Sequence, residues 1–530
     1  MKTNRAGAME MREEISIVNR VAIGDIIRRA AGRYEDKIAL VEGDKRLSYR
    51  ELDQACNRFA NYLIASGYKK GDAIATICGN SIDHVIAMYG IQKAGLIWVP
   101  VNPGLSSTDK QYILDEVDAK LTVIDYDFWQ ADREQYKDAA FLIVNNKEEN
   151  ADRSFAGTLV GQSDQEVDVD IRDRDVAQIM FTSGTTGNPK GVCISHLSVY
   201  FAALGNIADL GLKESEVLLV VMPMFHCAQH SFNSSFLAIG AKLVVVKKFE
   251  PENFMQLIEK EQGTFLFTLP MMYRAIIYHP NRKNYNLTSL ARCLYAMAPM
   301  DQGTLKKGID ELEAGFLLGT GQTEMYPATM IFKPEEQLKR FGSYWGTTAI
   351  INDTAVLDGK GNILAKGQIG EIVHRGPNVM NGYLNNDEAT KETRLFGWHH
   401  TGDLGYWDED GQMVFVDRKK DMIKTGGENV ASIKIEQILL NYEKIENAIV
   451  VGLPHERWIE AVTAFVRPKD GIDVTEEEVI AYCKEHLGSF QVPKKVVFVD
   501  QFPMTTTGKI QKQKLRADYE MLFADVNSLQ

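Results

Sequence analysis

Apolar and polar positions along the chain fall into two periods, and the places where they change mark the elements. Ser48-Tyr49-Arg50-Glu51 has capping-box spacing, the serine reaching forward and the glutamate back, and predicts a helix start. Leu52, Cys56, Phe59, Ala60 and Leu63 recur at helical spacing, and Gly67 supplies the stop. AIATIC (73–78) follows as a short apolar run, then a helix-length segment from Ser81 to Ala94 and IWVPV (97–101). A second helix and LTVID (121–125) complete two strand–helix repeats. The alternation returns with VLLVVM (217–222), KLVVV (242–246), the helix pattern ENFMQLIEKEQ (252–262) and TFLFT (264–268). Continuous apolar strands alternating with helices predict a largely parallel sheet covered on both faces.

The texture changes near residue 418. DRKKDMIKTGGENV (417–430) is charged, then glycine-rich, and reads as a connector. Beyond it come a helix pattern at 432–441, AIVVGL (448–453), AVTAFV (461–466), a helix at 475–487 and KVVFV (495–499). The expected class is α/β: a large N-terminal multi-layer domain with parallel-sheet subdomains over 1–418, and a small mobile α+β domain over 419–530. No strict repeat period or low-complexity segment interrupts this plan.

Composition narrows the function classes. With 530 residues, 45% hydrophobic and 25% charged, the chain is long enough for several packed cores. Its net charge of −13 argues against general binding of nucleic acid or anionic membrane, so an anionic substrate must be held by local donors. The six cysteines (Cys56, Cys78, Cys193, Cys227, Cys293 and Cys483) are scattered without a C-x-x-C pair, which fits a reducing compartment. Residues 1–20 lack the apolar core of a secretory signal and no 18-residue apolar run occurs, so a cytoplasmic protein without a transmembrane segment is expected.

One polar stretch stands out. FTSGTTGNPKGV (181–192) joins QIMF (178–181) to GVCIS (191–195), which read as two strands. It does not fit the Walker loop, because Gly184 and Gly187 are three apart and Lys190 follows a proline. The ingredients of an anion cradle remain: Gly184 and Gly187 let backbone N–H groups turn inward, Thr182, Ser183, Thr185 and Thr186 add hydroxyls, and Lys190 adds charge. On this stretch alone a solvated glycine-rich turn is the other reading.

TSGTTGNPKG resembles the signature loop of the adenylate-forming superfamily, which includes the acyl-CoA synthetases. GTGQTE (319–324), GPNVMNGY (376–383), GWHHTGD (397–403), VDRKKDMIKTGGENV (416–430) and TTTGK (505–509) match further motifs of that family in its order. The resemblance implies two half-reactions. A carboxylate attacks the α-phosphate of ATP to give acyl-AMP and pyrophosphate, and the thiol of coenzyme A then displaces AMP. It further implies that the loop around Lys190 holds the β- and γ-phosphates, that Glu324 is the Mg²⁺ ligand, and that Thr323 touches the α-phosphate. By the same resemblance Asp403 accepts both ribose hydroxyls, Arg418 reaches the ribose, and Ala298 and Pro299 form part of the adenine wall. Gly321 and Gln322 belong to the same nucleotide motif; Thr320 stands where the family carries an aromatic residue that stacks on adenine.

The resemblance also assigns the small domain. Lys509 bridges the substrate carboxylate and the α-phosphate in the first half-reaction, and a rotation about Lys420 removes it in the second. Lys424, Gly426, Gly427 and Glu428 then line the way in for the thiol. His226 resembles the family's gate, with Cys227, Phe232, Gly319, Met325 and Tyr326 around the acyl group. His226 and His230 stand at i, i+4, but with no intervening glutamate and no third ligand nearby they do not read as a zinc pair, and His230 is expected in the core or pocket wall. The mostly apolar lining predicts a monocarboxylic acid, a medium- or long-chain fatty acid first. A carrier-loading or aryl-acid adenylation enzyme is the alternative, with a non-catalytic nucleotide-binding protein as a distant third. Homodimerisation is left open.

Overall fold

A computed structural model describes residues 19–136, 139–145, 153–182, 189–296, 300–340, 342–504 and 510–523. The capping box forms as its spacing predicts. Glu51 N donates to Ser48 Oγ at 3.2 Å and Ser48 N to Glu51 Oε2 at 2.8 Å, which opens the helix Tyr49–Ala65. Its buried stripe of Leu52, Cys56, Phe59, Ala60 and Leu63 packs on the neighbouring helix Ile82–Lys93. Gly90 allows that approach, since a Cβ there would lie 2.8 Å from the Phe59 ring.

Among the described residues the strands build three sheets. The first has seven strands in the order Gly382–Tyr383, Lys190–Ser195, Val176–Thr182, Ile97–Pro100, Ala73–Ile77, Leu121–Asp125 and Phe141–Val144. Its last five strands are parallel; the first three form an antiparallel edge. The second sheet has thirteen strands, and six of them, from Ile38–Glu42 through Lys242–Val245, Val217–Val220, Phe265–Thr268 and Arg292–Tyr295 to Gly315–Thr320, are parallel. Beyond Gly315–Thr320 the sheet turns antiparallel through Met330–Phe332, Tyr344–Thr348, Met413–Arg418, His399–Trp407, Gly370–Arg375 and Asp353–Leu357. The helix–strand alternation accounts for the parallel run but gives no sign of this antiparallel half.

The helix Cys227–Ala238 is wedged between the two large sheets. Phe232 and Phe236 pack on Phe265 of one, at ring separations of 6.1 and 5.1 Å. His230 lies 4.8 Å from the Trp98 ring of the other. From Gln229 to Ser235 every residue except Phe232 is at most 1% exposed, and Phe232 is 5% exposed.

The large sheet's strand Met413–Arg418 ends at Arg418, and the third sheet begins at Ile423–Thr425. That five-stranded sheet is built on the hairpin Ile445–His455 and Ile459–Pro468, with Lys495–Phe498 parallel to the latter. Helices Ser432–Leu440 and Glu476–His486 cover it through Ile435, Leu439, Val479 and Cys483. Among the described residues no helix is long and apolar enough to cross a membrane.

Candidate active site

The second sheet brings separate sequence motifs together at the point where its direction changes. Strand Gly315–Thr320 ends in the single turn Thr323–Met325, which carries Glu324 half-buried. Antiparallel strands His399–Trp407 and Met413–Arg418 set Asp403 directly opposite Arg418. Arg418 Nε lies 3.2 Å from Asp403 Oδ1, and Gln322 Nε2 donates to Asp403 Oδ2 at 3.0 Å and to the Thr401 carbonyl at 2.8 Å. Asp403 is 4% exposed, so this carboxylate is held in one orientation by donors from both neighbouring motifs.

The first sheet supplies the cation. Lys190 opens the strand Lys190–Ser195, paired with Thr182, and the short strand Gly382–Tyr383 lies along its other edge. Lys190 Nζ sits 5.2 Å from the centre of the Tyr383 ring. The Tyr383 hydroxyl donates to Glu324 Oε1 at 2.9 Å, and Met380 N donates to the Glu324 carbonyl at 2.8 Å. Tyr383 therefore joins the Lys190 strand to the Glu324 turn. Burial first, and then the Glu324 charge and hydrogen bond, raise its pKa well above the ordinary phenol value, so it stays a donor. Sequence reasoning gave Tyr383 no role, although it ends the quoted motif GPNVMNGY; its contact with a glutamate 59 residues away is purely tertiary.

The acyl-side candidates gather around the start of the wedged helix. His226 is its N-cap, and its Nδ1 accepts from Ala228 N at 3.4 Å. Cys227 Sγ lies 3.5 Å from Thr323 Oγ1 and 3.7 Å from His226 Nδ1. Burial lifts the Cys227 thiol to about 12, which leaves it protonated and a poor nucleophile. His230 is fully buried and hydrogen-bonds the Tyr326 hydroxyl through Nδ1; burial pushes it down to about 3, so it stays neutral. Met325 and Tyr326 are fully buried, with their carbonyls capped by Asn378 Nδ2. Phe232 points at the aromatic cluster of Phe265 and Phe267. Gly319 faces Leu294, with ordinary contact room for a Cβ at 3.6 Å.

Other predicted residues lie apart from this constellation. Lys424, Gly426, Gly427 and Glu428 are exposed on a hairpin between Ile423–Thr425 and Glu428–Val430. Gly426 at φ +59° and Gly427 at φ +88° form its two-residue turn, so the hairpin itself already requires glycines there. Lys420 is exposed between the last strand of the large sheet and the first of the small one. Thr320 ends its strand opposite Met330, its buried Oγ1 without a hydrogen-bond partner among the described residues. Ser183, Gly184, Thr185, Thr186, Gly187, Ala298, Pro299 and Lys509 lie outside the described residues.

Glu324 also tests the residue set for Mg²⁺. Among the described residues no group of three or more His, Cys, Asp or Glu is arranged to hold a metal. One carboxylate at the Lys190 strand fits a hard cation that arrives mainly coordinated by phosphate and water.

Comparisons with known proteins cover most of the chain. The model of the AMP-binding enzyme family matches residues 27–384, and that of the AMP-binding enzyme C-terminal domain matches 434–509. The chain is 32% identical over 479 residues to a feruloyl-CoA synthase of Amycolatopsis sp, covering 90% of this chain and 95% of that one. It is 31% identical over 512 residues to 4-hydroxybutyrate–CoA ligase 2 of Metallosphaera sedula, covering 92% and 93%. The crystal structure of ATP-bound MatB from Rhodopseudomonas palustris superposes with a TM-score of 0.86 at 26% identity, covering 94% of this chain and 99% of that one.

Proposed function

The chain belongs to the AMP-binding enzyme family and is an AMP-forming acid–thiol ligase, and from this premise we propose how its residues divide the work and which acid they take. In the first half-reaction a substrate carboxylate oxygen bonds to the α-phosphorus of ATP, the α–β bridging bond breaks and pyrophosphate leaves. Two anions must meet, so positive charge and fixed donors are the main catalytic requirement. Lys190 and the loop before it take the β- and γ-phosphates, Thr323 the α-phosphate, and Asp403 with Arg418 the ribose. Glu324 holds Mg²⁺, which supplies charge neutralisation on the phosphates. Lys509 bridges the two reacting anions. In the second half-reaction the coenzyme A sulfur bonds to the acyl carbon, the acyl–oxygen bond to AMP breaks, and the thiol proton goes to solvent. For this step the small domain, residues 419–530, turns about Lys420 and brings Lys424, Gly426, Gly427 and Glu428 to the thiol's path. The observation that carries the reading is the Lys190–Tyr383–Glu324 chain, which ties a cation from one sheet to a carboxylate from the other.

The acid we propose is a monocarboxylate with an apolar body, a medium- or long-chain fatty acid in the first instance, because Cys227 and Met325 are buried beside Thr323 and Phe232 is buried further along the same helix as Cys227. A second reading, an aryl or hydroxylated acid, is favoured by one specific feature. Gln229 Oε1, His230 Nε2 and Asn233 Nδ2 are buried without hydrogen-bond partners among the described residues, on the helix that begins at Cys227. The named relatives, a feruloyl-CoA synthase and a 4-hydroxybutyrate–CoA ligase, agree with it. Incubation with ATP, Mg²⁺, coenzyme A and acids from acetate to palmitate, beside hydroxycinnamates and hydroxyalkanoates, decides between them by AMP release. ADP in place of AMP would end the ligase assignment.

A further inference from the structure

The last helix among the described residues, Lys512–Asp518, is fastened to the connector region at two points one turn apart. Lys512 Nζ donates to Ser432 Oγ at 2.7 Å and pairs with Glu436 Oε1 at 2.8 Å, and Arg516 pairs with Asp421 Oδ1 at 2.9 Å. Ser432 gives both its backbone N–H, at 2.6 Å, and its hydroxyl, at 2.7 Å, to Asp417 Oδ2. A hydroxyl has one proton to give and lone pairs to accept with, so the chain has a single sense: Lys512 ammonium to Ser432 hydroxyl to Asp417 carboxylate. Ser432 is fully buried and Asp417 is 1% exposed, so water does not compete for these bonds.

The members of this chain lie on different bodies. Asp417 belongs to the large sheet, on strand Met413–Arg418, next to the Arg418 that faces Asp403. Ser432, Glu436 and Lys512 belong to the unit built on the third sheet. A rotation about residues 419–422 therefore leaves Lys512–Glu436 intact and breaks both Ser432–Asp417 bonds. Breaking them strips a buried carboxylate of two donors, an expensive event unless water enters. The helix so fastened begins three residues after Lys509 in the sequence; Met504 bridges Ile510, and Gln511 N donates to the Pro503 carbonyl at 2.8 Å. In this same pose the glycine hairpin at 426–427 stands exposed.

We propose that Asp417 is a positioning residue that latches the small domain in the adenylate-forming pose, with Ser432 as the bolt and Lys512 transmitting its position to the last helix. The proposal rests on the reading of Lys509 as the lysine of the first half-reaction. Releasing the latch favours the rotated pose and so separates the two half-reactions.

The test uses the full chain. Asp417→Asn keeps the shape but removes the anionic acceptor, and Ser432→Ala removes the hydroxyl link while leaving the backbone donor. Both are expected to slow pyrophosphate release in the first half-reaction by about tenfold, with thioester formation from pre-made acyl-adenylate unchanged or faster. Parallel loss in both half-reactions, or a ratio of their rates unchanged in both variants, would overturn the latch. A second measurement needs no substrate: fluorescence energy transfer between dyes on Tyr278→Cys and Asp470→Cys, both exposed, should broaden or shift in Asp417→Asn and Ser432→Ala. An unchanged distribution in variants that melt as folded proteins also overturns the latch. If the parent protein releases no AMP with any acid, the ligase assignment falls while the fluorescence result still judges the latch.

Discussion

The Tyr383 hydroxyl donates to Glu324 Oε1 at 2.9 Å while the face of its ring holds Lys190 Nζ 5.2 Å from the ring centre. One side chain thus spaces the carboxylate assigned to Mg²⁺ from the cation assigned to the phosphates. Tyr383→Phe keeps the ring and removes the donor, so kcat/KM for ATP should fall by roughly 10–150-fold, the worth of about 1.5–3 kcal/mol for one hydrogen bond to a charged group. Tyr383→Leu also removes the cation–π contact, worth about 0.5–2 kcal/mol, and should fall further. Steady-state kinetics at several Mg²⁺ concentrations check this; equal effects of the two substitutions would contradict the double role.

Asp403 should control nucleotide affinity. Its carboxylate is already oriented by Gln322 and Arg418, so Asp403→Asn alters charge with little change of shape. Loss of charge-assisted bonds to the ribose predicts weaker ATP binding by about 1.5–3 kcal/mol, roughly 10–150-fold. Calorimetric titration with ATP measures it. Unchanged affinity would remove Asp403 from the nucleotide site.

Lys509 and Lys420 should divide the two half-reactions. Lys509→Ala should abolish adenylate formation yet largely spare thioester formation from pre-made acyl-adenylate. Lys420→Pro restricts the backbone between the two sheets and should do the reverse, hindering the second step more than the first. Single-turnover assays of each half separate them, and equal losses in both for either variant would count against a turning domain.

Acid should unfold this protein in a defined window. Burial holds His84, His196 and His399 near 4 and His230 and His374 near 3, below the ordinary 6.5. Their neutral forms are favoured in the fold, so between pH 6.5 and about 4 the unfolded chain binds more protons and stability falls as pH falls. The slope is up to about 1.4 kcal/mol per pH unit for each histidine. Asp125, raised to about 6 mainly by burial, opposes part of it. His399 lies across from His374 with neither ring nitrogen hydrogen-bonded among the described residues. His399→Leu should therefore flatten the curve of melting temperature between pH 5 and 7; an unchanged slope would refute this contribution.

What could be read from the chain follows the physics of each element. AIATIC, LTVID and TFLFT are buried on both faces, so burial alone demands continuous apolar runs, and all three are strands in the fold. Strands such as Tyr344–Thr348 and Met413–Arg418 are only partly buried and carry glycine or charge. They form because distant partners pair with them, which no local pattern announces. Lys190, Glu324, Asp403 and Arg418 could be named as candidates because each sits in a distinctive motif. Tyr383 and Asp417 could not, since their contacts with Glu324 and Ser432 are made by the fold and by no local motif.

The helix Cys227–Ala238 is enclosed on every side by packed layers. A rod so confined cannot slide or tilt to admit a bulkier guest without prising apart the two sheets it packs between. On the proposed placement of the acid beside Cys227, a differently shaped acid calls for exchanging individual side groups along the rod, leaving its axis where it is. Altering the guest is therefore a matter of carving, and the scaffold that performs the chemistry is left untouched.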